Sequence, residues 1–586
     1  MNLSDILSTF QFGKKKTVPK KLLTKWGKNL RPDSVLPEYP RPQMARSSWK
    51  CLNGIWEYAF SPFSKEAAEP SSYDGRVLVP FSPESILSGV ERQLQPDEFL
   101  WYRKIVVLPE IPSGHRLLLN FGAVDQICEV FLNGQKAGSH FGGYLSFSVD
   151  ITSFAVPGEN TLTVRVRDIS DTAWMDRGKQ KLKPGGMFYT AQSGIWQSVW
   201  MEEVPDVYIR SLKITPLFDE QTVCITVRTS LPCRVCIRMQ GEETASADGF
   251  SGKEIRIRVP HVRPWTPEDP CLCPFEVTAG DDRVTSYFAM RKFSVIRDER
   301  GIPYLALNNR AYFQYGVLDQ GYWSDGLYTA PSDEAMISDI LSMKELGFNM
   351  IRKHIKVEPM RWYYHCDRLG MIVWQDMLNG GGRSLMTFML YLPTALPFIT
   401  KRFPDSNYPI FSRASEKGRR AWLKGCHDTM EQLYSCPCIG LWTAFNEGWG
   451  QFDAEKVFRK MKRWDPTRPV DHASGWYDQG AGDIVSLHNY WRALTVKPEK
   501  ERPFCFSEYG GLSWHVSGHS YSTEDFTYTK VTDLETLRRS FAELKEKIHS
   551  LEKDGLAAAV YTQLSDVEEE VNGILTYDRE VNKLRT

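Results

Sequence analysis

Two stretches decide how this 586-residue chain reads: Ile439-Gly-Leu-Trp-Thr-Ala-Phe-Asn-Glu447 and Phe504-Cys-Phe-Ser-Glu508. Each is a short apolar run of strand length closed by an acid. A carboxylate at the end of a buried strand is costly to desolvate, so it calls for a partner or a task. Further apolar runs stand at 313–317, 349–352, 371–374, 469–472, 484–487 and 558–562. Between several of the eight runs lie stretches of helical pattern, at 332–346, 359–369, 416–434, 454–464 and 533–553. Ser332 ahead of Asp333-Glu334 supplies an N-cap and an acidic first turn. Eight strands with intervening helices predict a (β/α)8 TIM barrel over residues 297–586. In that fold the working residues stand at the C-terminal ends of strands, and Glu447 and Glu508 close the fourth and seventh.

Upstream the pattern changes to period-two alternation broken by turn residues. Arg116-Leu-Leu-Leu-Asn-Phe, Cys128-Glu-Val-Phe-Leu-Asn-Gly and Thr161-Leu-Thr-Val-Arg-Val read as strands, with Asn133-Gly134 as a hairpin turn. Residues 39–205 are therefore expected to form a jelly-roll β-sandwich. Residues 206–296 carry a second alternating block, including Ile209-Arg-Ser-Leu-Lys-Ile and Lys253-Glu-Ile-Arg-Ile-Arg-Val, which at this length fits an immunoglobulin-like β-sandwich. Residues 1–38 read as a lysine-rich, solvated leader without the apolar core of a signal peptide.

Composition narrows the function. The chain is 42% hydrophobic and 25% charged with zero formal net charge, so neither nucleic acid nor an anionic membrane is expected as partner. No stretch is long and apolar enough to span a membrane. The nearest, 385–399, is interrupted by Pro393 and Pro397; it is a candidate for lining a leaving-group subsite or a subunit contact. A cytoplasmic protein is expected. The twelve cysteines show no metal-binding spacing and read as free thiols of a reducing compartment. Aromatic residues make up 12% of the chain, which suits sugar-ring faces as well as cores.

Two acids on facing walls of a barrel mouth can share glycoside chemistry, one protonating the leaving group and the other attacking the anomeric carbon. Asn446 is placed to hydrogen-bond a sugar 2-hydroxyl, and Tyr490, at the end of the sixth strand, to hold Glu508 ionised. That pair completes the chemistry without an organic cofactor. The absence of an H-x-H at the end of the first strand, Phe313-Gln-Tyr-Gly-Val, argues against a metal centre.

At this point Asn446-Glu447-Gly-Trp-Gly and Phe506-Ser-Glu508-Tyr-Gly resemble the signatures of glycoside hydrolase family 2, the family of β-galactosidase, β-glucuronidase and β-mannosidase. Tyr39-Pro-Arg-Pro-Gln, Leu52-Asn-Gly-Ile-Trp-Glu and Ser193-Gly-Ile-Trp-Gln-Ser-Val-Trp are similar to segments of its N-terminal sugar-binding domain. The likeness covers the chain from about residue 38 onward. It implies a retaining exo-β-glycosidase with Glu447 as acid/base and Glu508 as nucleophile, and with His354 and Asp376 among the sugar-binding side chains. Trp374-Gln-Asp376 leans toward the mannosidase branch. Two features depart from the family. The tail Val581-Asn-Lys583-Leu lacks the Asn-x-Lys spacing with which glucuronidases read a carboxylate. Phe188 stands where the galactosidase and glucuronidase branches tend to have Asp, so the first domain is not expected to meet the sugar in their way.

β-Galactoside is the default substrate, with β-mannoside, β-glucuronide and arabinosyl or galactofuranosyl sugars open. A non-catalytic carbohydrate-binding protein on the same scaffold is the rival. Arg352 reads as an ion-pair partner of the acids. Trp476, Trp514 and Trp449 are candidates for stacking on sugar, with core packing the alternative for each; His472, His488 and His515 are weaker candidates. A homo-oligomer is left open by analogy with large glycosidases.

Overall fold

The computed structural model describes residues 21–64, 68–240, 245–382, 388–389, 392–395, 400, 403–523 and 525–585. Most of the apolar stretch 385–399 thus lies outside the described residues, as does the leader up to residue 20.

The first sandwich pairs a four-stranded with a six-stranded antiparallel sheet. The long central strands Glu98–Leu108 and Gly158–Arg167 pair antiparallel; along Thr161–Arg167 buried Leu162, Val164 and Val166 alternate with polar Thr163, Arg165 and Arg167. Asn133 and Gly134 form the expected hairpin, both with positive φ (52° and 77°), between strands Ile127–Leu132 and Gln135–Phe141. The second sandwich packs a three-stranded on a four-stranded sheet around Ile225, Val227, Ile237, Phe275 and Val277, with Met44 reaching in from upstream.

The third unit is a TIM barrel. Its strands are β1 (Gln314–Asp319), β2 (Met350–Lys353), β3 (Ile372–Asp376), β4 (Ile439–Thr443), β5 (Val470–Asp471), β6 (Val485–Asn489), β7 (Phe504–Gly510) and β8 (Leu556–Thr562). They form one parallel sheet in the order β5-β4-β3-β2-β1-β8-β7-β6, closed except between β5 and β6. Every residue of β3, β4, β7 and β8 is buried, as a parallel sheet covered on both faces requires. The expected helices form at α1 (Asp333–Glu345), α2 (Met360–Leu369), α3 (Glu416–Leu433), α4 (Ala454–Trp464) and α5 (Leu534–Ser550). Ser332 caps α1, its hydroxyl accepting from the Ala335 N–H at 3.2 Å. In α4 the inward residues Ala454, Val457 and Met461 follow helical spacing.

One expectation needs correcting. From residue 21 the leader is packed and not solvated. Leu22 and Val35 are buried, Trp26 meets Trp323 edge-on at 6.2 Å, and Thr24 donates through its N–H and hydroxyl to Asp325 at 2.8 and 2.7 Å. Scattered lysines masked those apolar anchors in the sequence; Lys21 and Lys28 stay outside and pair with Glu91 and Glu580. Among the described residues no helix is long and apolar enough to cross a membrane. All twelve cysteines are unpaired.

Candidate active site

Glu447 and Glu508 meet at the C-terminal mouth of the barrel. β4 runs into the turn carrying Glu447, whose backbone is left-handed (φ 52°) and is followed by Gly448 at φ 71°. Such a conformation is uncommon outside glycine and persists where neighbours hold it. Here the Glu447 N–H donates to the Ser474 carbonyl at 2.9 Å. Glu508 lies within β7, where the ladder to β8 loses register between Phe506 and Tyr509. Irregularities of this kind re-aim side chains beside functional sites.

Arg352, on β2 and wholly buried, organises the floor. Its guanidinium grips Asp376 with two bonds of 3.0 Å, and donates to Glu508 Oε1 at 3.1 Å, to the Ser507 carbonyl at 3.0 Å and to Asn446 Oδ1 at 2.8 Å. His354 adds a contact from Nδ1 to Asp376 at 2.8 Å. Tyr490 donates its hydroxyl to the other oxygen of Glu508. Burial works against ionisation of Glu508. The charges of His488, Arg352 and His354 outweigh it and bring the carboxyl down to about 2. Burial opposes ionisation of Asp376 as well, and Arg352 and His354 reverse it. Tyr490 is pushed the other way, by burial and by the Glu508 charge, and so stays a protonated donor.

His488 is the site residue the sequence undervalued. It comes from β6, its side chain has no exposure, and its Nδ1 lies 2.8 Å from Glu447 Oε1. Its Nε2 faces Ser474 Oγ at 3.0 Å, Arg352 Nη1 at 3.4 Å and Glu508 Oε1 at 3.5 Å. One oxygen of Glu447, one of Glu508 and a ring nitrogen of His488 all lie within 4.8 Å of one another. By distance the three could surround a cation, but the Arg352 guanidinium already brings a positive charge to Glu508 and His488. The sequence carries a signal for His488: it stands two residues before Tyr490, and residues two apart on a strand share a face.

The structure thus brings together Glu447, Glu508, Asn446, His354, Asp376, Tyr490 and Arg352. Trp476 stands at the rim, its ring 5.3 Å from His488, in a hollow of about 140 Å³ also lined by Tyr490, Trp491 and Lys497. Trp514 is not drawn in. Its side chain packs on the barrel core, and its backbone N–H donates to the Val571 carbonyl at 3.2 Å. Trp449 is buried in an aromatic cluster with Phe188, Tyr528 and Tyr490, and Phe188 meets it edge-on at 5.5 Å. The first sandwich therefore reaches the mouth with an aromatic ring at the Phe188 position. The acids after β8 stitch the two units together: Glu568 and Glu569 accept from the Thr190 and Gly186 N–H groups at 2.9 Å each, and Glu570 accepts from Tyr189.

Comparison with known proteins agrees with this architecture. The model for the glycosyl hydrolases family 2 sugar binding domain matches residues 89–205, and that for the family 2 TIM barrel domain matches residues 305–580. The chain belongs to glycosyl hydrolase family 2. A putative beta-glucuronidase of Formosa agariphila is 27% identical over 448 residues, which cover 72% of this chain and 51% of that protein. A beta-galactosidase of Lactococcus lactis is 25% identical over 69% of this chain and 38% of its own length. The chain thus spans about half or less of these two relatives. Among solved structures, a beta-glucuronidase of Ruminococcus gnavus superposes with a TM-score of 0.72 at 17% identity, covering 94% of this chain and 97% of that one. At that identity the likeness speaks for the fold alone.

Proposed function

We propose that this chain is a retaining exo-β-glycosidase in which Glu508 is the nucleophile and Glu447 the general acid/base. The observation that carries this reading is the pairing of the two acids. One oxygen of each comes within 4.8 Å of the other, a closeness in keeping with the roughly 5–5.5 Å between the carboxyl groups of retaining enzymes, against about 6.5–9.5 Å in inverting ones. Their surroundings divide the roles. Glu508 is 6% exposed and held ionised by Arg352 and Tyr490, as a nucleophile must be; Glu447 is 19% exposed on the opposite side, where a leaving group and then water would arrive. In the first step Glu508 attacks the anomeric carbon while Glu447 gives its proton to the departing oxygen. In the second, water attacks, Glu447 takes its proton, and the bond to Glu508 breaks.

A neutral β-glycoside, β-galactoside first, is the favoured substrate. Lys583, the lysine of the Asn582-Lys583 pair after the eighth strand, is fully buried and spent on Asp566 at 2.7 Å and the Val571 carbonyl at 3.0 Å. The names of the relatives keep β-glucuronide as the second reading. Hydrolysis of a panel of 4-nitrophenyl β-glycosides, with galactoside, mannoside, glucuronide and arabinoside members, decides between them. Release from none of them would favour the non-catalytic binding protein.

Two further outcomes follow from the surroundings of Glu508. The nucleophile works ionised, so activity falls as pH drops through its pKa; held down to about 2, it places the acidic limb of kcat/KM well below the ordinary glutamate range near 4.5. A limb at pH 5 or above would contradict this. Tyr490→Phe removes a bond to a charged group and should cost about 1.5–3 kcal/mol, roughly 10- to 150-fold in kcat/KM, and raise the acidic limb. An unchanged rate would show that the phenol does not support Glu508.

A further inference from the structure

The loop and strand geometry gives both glutamates one imidazole in common. His488 Nδ1 lies 2.8 Å from Glu447 Oε1; a carboxylate oxygen only accepts, so in the ionised form of Glu447 the hydrogen of this bond is on Nδ1. The ring cannot swing away. It is fully buried, Ser474 Oγ stands 3.0 Å from Nε2 and donates to Ser507 Oγ at 2.8 Å, and the Trp476 ring, steeply inclined to it at 5.3 Å, closes one side. Gly475 fits tightly beneath it: a Cβ there would stand 2.9 Å from Nδ1. The charged and titratable groups facing the ring are Arg352 from β2, Glu447 from the turn after β4, and Glu508 from β7, with Tyr490 further along β6.

We propose that His488 is the positioning residue of the acid/base: it holds Oε1 of Glu447 through Nδ1, so that Oε2 alone presents the catalytic proton. The inference rests on the assignment of Glu447 as acid/base. His488 exchanges no proton with the substrate; the proton still passes from Glu447 to the leaving oxygen and returns from water. Its effect is on Glu447. A donated hydrogen bond favours the carboxylate form, offsetting the like charge of ionised Glu508, which favours the protonated form. When Glu508 becomes an ester its charge disappears, and the His488 bond then favours Glu447 as the base that the second step requires.

The sign of the test follows. The alkaline limb of kcat/KM reports loss of the proton from the acid. His488→Ala removes a bond that favours the carboxylate, so the limb should move to higher pH by about one unit. His488→Asn can return a donor near the Nδ1 position and should bring it back toward wild type. Both variants and the wild type are measured on whichever 4-nitrophenyl glycoside the wild type cleaves, with circular dichroism to check folding. A limb unmoved in His488→Ala, or moved equally in both variants, overturns the proposal and leaves the assignment of the glutamates standing. A His488→Ala protein that fails to fold leaves the decision to His488→Asn: a limb within a few tenths of wild type supports the role, and a limb displaced by a unit or more overturns it. A wild type that cleaves no glycoside of the panel overturns both readings together.

Discussion

Glu508→Gln should leave no more than about one part in 10⁴ of the wild-type kcat/KM, a loss of about 5.4 kcal/mol of transition-state stabilisation. The amide keeps the size of the side chain and can still accept from Tyr490, but it cannot attack an anomeric carbon. The fold should tolerate it. Arg352 loses one ionic partner but keeps its two bonds to Asp376 and those to Ser507 and Asn446. The substitution therefore separates chemistry from structure. Circular dichroism and the melting temperature should stay near those of the wild type while turnover disappears. A variant retaining a tenth of the wild-type rate would rule Glu508 out as nucleophile. One that melts far below the wild type would mean that the carboxylate serves the barrel more than the reaction.

Glu447→Ala should separate substrates by their leaving groups. A poor leaving group such as an alkoxide needs the proton, and its cleavage should fall by about 10²–10⁴-fold, the usual worth of general acid catalysis. A dinitrophenolate departs unprotonated, so the first step on a dinitrophenyl glycoside should lose much less. Its second step would then limit the rate, because no base activates the water. Added azide, which needs no base, should restore turnover and release a glycosyl azide. The left-handed backbone at Glu447 does not endanger this variant, since the turn is also held through the Glu447 N–H to Ser474, which alanine keeps. Equal losses across leaving groups, with no effect of azide, would remove Glu447 from the acid/base role.

The barrel was legible because its strands are buried on both faces and so read as unbroken apolar runs. Even β5, only Val470–Asp471, falls inside the run 469–472. The acids at the ends of the runs marked the mouth, and the arginine, histidine and aspartate at the ends of β2 and β3 came with the same register. His488 was harder to see. It is followed by two more polar or half-polar residues, Asn489 and Tyr490, and its value comes from Glu447 and Arg352, which are distant in sequence. Trp514 shows the converse. Only the path of the loop after β7 turns it onto the core instead of the pocket. Phe188 was expected to mark a first domain that meets the sugar differently, and its ring packs over the barrel mouth against Trp449. That approach depends on the loop from Gly185 to Thr190 being pinned by Glu568, Glu569 and Glu570, a contact between units nearly four hundred residues apart.

The central claim is a covalent bond between Glu508 and the sugar. Incubation with a 2-deoxy-2-fluoro glycosyl fluoride of the sugar preferred in the panel, followed by intact-mass measurement and peptide mapping, tests it directly. The expected result is one added fluoroglycosyl unit per chain, carried by the peptide containing Glu508 and absent in Glu508→Gln. A label on another residue, or no label while the wild type turns over the matching glycoside, would contradict it.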